Sequence, residues 1–209
     1  MPPLNTFSID YVDNDKNFMK SDFQPNSDNY YIDIMTKNIY CKHTSIIIDT
    51  PELADYLEDA MIARDMPGMA DIDSSLLLFC KKVKEQATVS LTGECADEIF
   101  GGYPWFFRED SLKNSTFPWS LAINERKKLL HSDISSKIDL EEYINFRYNE
   151  SLSEVKILET DSKETSEKRK ISYLTLNWFM QTLLDRSDRA AMYNGFEIRV
   201  PFCDYQLAE

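Results

Sequence analysis

The stretch Ala87-Thr-Val-Ser-Leu-Thr-Gly-Glu-Cys-Ala-Asp-Glu-Ile-Phe-Gly-Gly-Tyr103 opens as a β-type run, turns at a glycine and continues as one helical turn before two further glycines. From Leu91 on it gathers three carboxylates (Glu94, Asp97, Glu98) and three of the chain's five glycines. A strand ending at Leu91 and leading into a helix start is the building unit of open parallel sheets. In such sheets, ligands bind beyond the carboxyl ends of the strands. Thr92 and Gly93 stand at that end. A glycine there lets the backbone approach a ligand, and the next amides can face phosphate oxygens from a helix start. Carboxylates beside a phosphate repel it unless a cation intervenes; magnesium, held by one or two carboxylates plus phosphate oxygens, resolves the conflict. A remaining carboxylate can serve as a general base or as the charge partner of a cationic species. Residue types alone leave a second reading open, a capped turn with solvated acids.

Working outward, the first hundred residues alternate between strand and helix periods. Asn5–Val12 alternates apolar and polar residues like a strand, and Thr44–Asp49 is a continuous β-branched run of the buried kind. A helix is expected over Asp28–Tyr40. Another opens at Thr50-Pro51, with an N-cap and a proline in its first turn, and a third starts near Asp71 to Ser74. This order predicts an α/β fold, a parallel sheet flanked by helices. After Tyr103 the strand signal disappears and the remainder reads as helical. The expected division is residues 1–104 as a partial α/β nucleotide-binding core and 105–209 as a helical part of the same domain.

Composition narrows the function. The chain has 209 residues, 43% of them hydrophobic, and a formal net charge of −13. So acidic a surface repels nucleic acid and anionic membranes, and a polyanion such as ATP must be met locally. Two histidines make a serine-hydrolase triad or a histidine metal site improbable. Four scattered cysteines without a C-x-x-C pair fit reduced thiols, Cys95 and Cys203 being read as packed ones. With no membrane-length apolar run and no signal-peptide pattern, a soluble cytoplasmic protein is expected.

Leu91–Tyr103 resembles the signature (S/T)-G-(E/D)-x-x-D-E-(L/I/V)-F-G-G-Y of glutamine-dependent asparagine synthetases. Asp188-Arg-Ala-Ala-Met-Tyr-Asn-Gly-Phe-Glu-Ile-Arg-Val-Pro-Phe-Cys-Asp204 resembles the same family's second signature, D-R-x-x-M-x-x-x-x-E-x-R-x-P-F-x-D. Two long motifs in family order make a specific match. The resemblance implies an adenine nucleotide alpha-hydrolase-like domain that adenylates aspartate with ATP and Mg2+, giving β-aspartyl-AMP and pyrophosphate. Ammonia, released from glutamine in a separate glutaminase domain, then displaces AMP. Carried over, Thr92 and Gly93 match nucleotide-contacting positions and Ile9 the strand position lining the adenine pocket. Glu94 matches the catalytic acid, and Asp97 an acid near the metal.

The resemblance also implies parts that are not found here: a first strand with the pyrophosphate loop S-G-G-x-D-S, a downstream lysine and the glutaminase domain. The chain therefore reads as a fragment of a larger synthetase, inactive alone. Its unfilled sheet position offers an edge for pairing with a second copy, a route to a homodimer. Asp65-Met-Pro-Gly68 stands where the family often has D-E-P, with Gly68 read as adding flexibility. Two rivals stay open: a β-lactam- or peptide-cyclising relative acting on another acid, or a non-catalytic remnant. Bland readings hold elsewhere. Arg189 and Arg199 are expected in buried ion pairs with Glu197 or Asp204, Gly101-Gly102 as a helix stop, and Tyr103, Trp105, Phe106 and Phe107 as core. His131 is read into a helix's last turn.

Overall fold

The computed structural model describes residues 2–21, 24–108 and 115–209. In chain order come β1 (Leu4–Tyr11), α1 (Asn14–Asn17), α2 (Asn29–Asn38), β2 (Cys41–Ile48), α3 (Thr50–Asp55), α4 (Leu57–Arg64), α5 (Ala70–Lys84) and β3 (Val89–Leu91). Then follow α6 (Ala96–Phe100), α7 (Ile123–Leu129), α8 (Ser132–Ser135), α9 (Leu140–Ser153) and α10 (Lys163–Leu174). A π-helical turn (Thr175–Phe179), α11 (Met180–Tyr193), β4 (Glu197–Arg199) and α12 (Tyr205–Ala208) complete the order. Two compact units result, one of Met1–Glu94 with Leu183–Asp204, the other of Cys95–Thr182 with Tyr205–Glu209.

The first unit is the α/β part. β1 and β2 pair in parallel, Leu4 opposite Cys41 through Tyr11 opposite Ile48. β3 and β4 form a second parallel pair, with Val89 opposite Glu197 and Leu91 opposite Arg199. Parallel pairing requires a crossover, and α3, α4 and α5 lie between β2 and β3 in sequence. Asp49, rather than Thr50, caps α3: its carboxylate accepts from the Thr50 amide at 2.8 Å, and Pro51 sits in the first turn. Alternation along β2 buries Ile46 and Ile48. They pack with Leu77, Leu78, Cys80 and Val83 of α5, Ala190 and Ala191 of α11, and Phe196. Small alanines let α11 come close, and its end is tied down where Asn194 Nδ2 donates to the Leu77 carbonyl at 3.2 Å.

The second unit is helical. Its core is aromatic: Trp105, Phe106 and Ile171 are buried, with Tyr103, Trp119 and Phe179 against them. Tyr103 and Trp105 stack with centroids 4.3 Å apart, and Phe179 meets both edge-on. Phe107, expected in this core, is instead 75% exposed.

Three further expectations change. β4 is a strand where only helix was expected; three residues are too few to display a period. Cys41 and Cys80 are free, but Cys95 and Cys203, read as packed thiols, are disulfide-bonded. Disulfide geometry is set by the fold and not by sequence spacing. His131 precedes α8 and accepts from the Asp133 amide at 3.3 Å, starting a helix rather than closing one. Among the described residues, no helix is long and apolar enough to cross a membrane.

Phe196 is 1% exposed at the centre of the first unit. Phe196→Ala is expected to cost about 3–5 kcal/mol, read as a lowered urea midpoint by far-ultraviolet circular dichroism.

Candidate functional site

The site is built where β3 ends. Beside β4, the ladder extends one residue past β3, because the Thr92 amide donates to the Arg199 carbonyl at 3.0 Å. This holds Thr92 in place as the chain turns. Its hydroxyl accepts from the Glu94 amide at 3.4 Å. Gly93, between them, is exposed, and a Cβ added there would meet nothing within 4 Å. The space around this position makes no demand for glycine.

Glu94 turns inward. Its Oε1 accepts from the Ser187 hydroxyl of α11 at 2.5 Å, and Ser187 is 2% exposed. Its Oε2 is also buried and has no hydrogen-bond partner in the protein. An orphaned buried carboxylate oxygen is costly. Cys80 of α5 senses the charge: burial first, and then the Glu94 carboxylate, push its thiol up to about 12. Cys80 therefore stays protonated and takes no part as a nucleophile.

The other predicted residues separate. Thr92 and Gly93 line a cavity of about 710 Å3 with Leu4–Phe7 of β1, Phe79, Ala87 and Val89–Leu91. This cavity lies along edges of β1 and β3, which belong to separate two-stranded sheets. Ile9 is not in its wall; it sits opposite Ile46 in the ladder and packs against the hydrophobic core. Asp97 is in the first turn of α6, in the helical unit, and is exposed. Its side chain lies over Gly102, where an added Cβ would fall 2.0 Å from Oδ1. Gly102 thus makes room for the Asp97 carboxylate, while Gly101, at φ 70, ends α6 as a left-handed cap.

Among the described residues, no three acidic, histidine or cysteine side chains cluster as a metal site. A magnesium ion that keeps most of its water and takes a single carboxylate plus phosphate oxygens needs no such cluster. The exposed Asp97 fits that donor set.

A charge network braces the Asp65–Met69 segment. Arg64 Nη1 reaches Asp73 Oδ2 at 3.2 Å, and these side chains are 11% and 5% exposed. The Met69 amide also donates to Asp73 Oδ2 at 2.9 Å. Gly68 is required by space rather than flexibility, since a Cβ there would lie 1.9 Å from Asp73 Oδ2. From α11, Arg189 donates to the Arg64 carbonyl at 3.2 Å and bonds Asp185 at 2.7 Å. Arg189 is therefore paired with Asp185, not with Glu197 or Asp204. The Arg199–Glu197 pair does form, at 2.7 Å, but on the surface.

Comparison with known proteins agrees with these signatures. The asparagine synthase family profile matches residues 1–209. The chain belongs to the asparagine synthase family. It is 48% identical over 207 residues to glutamine-hydrolysing asparagine synthetase 3 of Bacillus subtilis (strain 168), covering 99% of this chain and 33% of that protein. It is 31% identical over 162 residues to glutamine-hydrolysing asparagine synthetase 1 of the same organism, covering 62% of this chain and 25% of that one. The chain thus spans about a third of the length of the first of these curated relatives and a quarter of the second.

Within this asparagine synthase chain, Ser187 is the residue that sequence reasoning missed. It stands one position before the second signature, and nothing in its local pattern marks it. Only the packing of α11 shows that it faces Glu94.

Because Gly93 has open space around it, Gly93→Ala is expected to leave the melting temperature within about 2 °C of the parent. Differential scanning calorimetry checks this, and a large loss of stability would give the glycine a structural role instead.

Proposed function

We propose that this chain is the synthetase core of a glutamine-hydrolysing asparagine synthetase. In this reading, the aspartate side-chain carboxylate attacks the α-phosphorus of ATP, forming β-aspartyl-AMP and pyrophosphate. Ammonia released from glutamine elsewhere in the full protein then attacks the β-carbonyl carbon. The bond to AMP breaks, and asparagine and AMP leave. The observation that carries the reading is Glu94: a carboxylate at the carboxyl end of β3, with one oxygen held by Ser187 and the other buried and unmet. Such a group suits a general base, since a proton acceptor must be held in position and kept from competing solvent. In the second step it takes the proton that the attacking ammonia loses.

Thr92 and Gly93 bring backbone to the nucleotide at the end of β3, beside the apolar Leu4 and Phe7 of β1 in the same cavity. Asp97 would hold Mg2+, which supplies positive charge to the triphosphate when bound. The sheet is of the adenine nucleotide alpha-hydrolase-like kind, completed in the longer protein by a strand carrying the S-G-G-x-D-S pyrophosphate loop. The cavity between the edges of β1 and β3 supports that placement, because a parallel strand there would join the two pairs into one sheet.

Pyrophosphate release is the test, in the full-length polypeptide with ATP, magnesium and ammonia, with and without aspartate. Release is expected to depend strictly on aspartate, and Glu94→Gln is expected to lower it about 10²–10⁴-fold. Release driven only by another acid would move the chain to the cyclising relatives. The 209-residue chain by itself is expected to release no pyrophosphate, since losing each charge-stabilising donor costs about 10²–10³ in rate.

A further inference from the structure

We infer that Ser187 is a positioning residue that aims the Glu94 carboxylate, binding one of its oxygens so that the other is presented to the reacting group. The inference rests on the catalytic reading of Glu94 and deepens it by naming the residue through which that carboxylate is oriented.

Three observations converge. Ser187 sits on α11, whose neighbouring Ala190 and Ala191 are packed into the core beside Phe196. The helix cannot rotate without losing that packing, so the hydroxyl is delivered from a rigid element. At 2.5 Å, its bond to Glu94 Oε1 is in the range of hydrogen bonds to charged acceptors. Glu94 Oε2 is left buried with no partner, so the two oxygens are inequivalent. A carboxylate offers acceptor sites on both oxygens and turns about its last bond unless one of them is held. One hydroxyl on one oxygen removes the rotation and leaves an acceptor site.

The test uses the full-length polypeptide and the variants Ser187→Ala, Ser187→Thr and Glu94→Gln. Asparagine formation from ATP, aspartate and ammonia is followed at varied substrate concentrations to separate kcat from KM. Ser187→Ala is expected to lower kcat about 10- to 100-fold with the KM values for ATP and aspartate within about twofold, because a charge-assisted bond is lost at the reacting group and not at the binding surfaces. Ser187→Thr, which keeps a hydroxyl, is expected to restore most of the rate. Equal losses in the alanine and threonine variants accompanied by a lowered melting temperature would overturn the inference, since packing alone would then explain them. If Glu94→Gln keeps its activity, the catalytic reading of Glu94 fails and this inference falls with it. If Glu94→Gln is inactive while Ser187→Ala has parent kinetics, the positioning role alone is wrong.

Discussion

The parallel pairing of β3 with β4 is the constraint on which the rest of the site depends. It is short, three residues against three, yet it joins the start of one signature to the middle of the other. Glu197 donates to the Thr88 carbonyl at 3.0 Å, and Thr92 donates to the Arg199 carbonyl at the same distance. With those bonds made, the turn at Gly93 begins from a fixed point. The chain just before β4 is fixed too: Phe196 is buried and Asn194 is bonded to α5. α11 then has little freedom left, and Ser187 meets Glu94 as a result.

The energetic support for this arrangement is largely apolar and remote from the chemistry. Leu77, Leu78, Cys80 and Val83 of α5 form a stripe that packs at once against β2 and α11. The same helix carries, at its start, Asp73 and its bonds to Arg64 and the Met69 amide. It also carries Ser75, whose hydroxyl is 2.6 Å from the Tyr11 hydroxyl at the end of β1. One helix therefore organises both the core and the polar groups near the end of β1 and the end of α4. That economy suits catalysis, since a site is held more accurately by residues on packed elements than by residues on loops.

Polar burial in this protein is selective. Ser74, Ser75, Ser187 and Asp73 are all buried in the α/β unit, which is expensive unless hydrogen bonds are made. Ser75 and Asp73 make theirs to structural neighbours. Ser187 spends its bond on Glu94, whose second oxygen has none. Among the described residues Glu94 Oε2 is the one buried carboxylate oxygen left without a hydrogen bond, in company with Arg64 Nε, Thr175 Oγ1 and Arg186 Nε.

What the sequence determined by itself was local. The strands at β1 and β2, the proline-opened helix after Asp49, the amphipathic α5 and the turn after Leu91 all follow from period and turn chemistry, which act over a few neighbouring residues. The two signatures were equally legible, because their glycines and carboxylates stand at set spacings. Tertiary structure decided what is distant in sequence. It made a strand of Glu197–Arg199, whose three residues acquire that form only by pairing with β3. It laid Arg189 against the Arg64 carbonyl, a contact across 125 residues. It also set Ser187 against Glu94, a contact across 93 residues that no local pattern encodes. The physical reason is common to all three: groups far apart in sequence meet only when the hydrophobic core forms, and that core belongs to the whole fold.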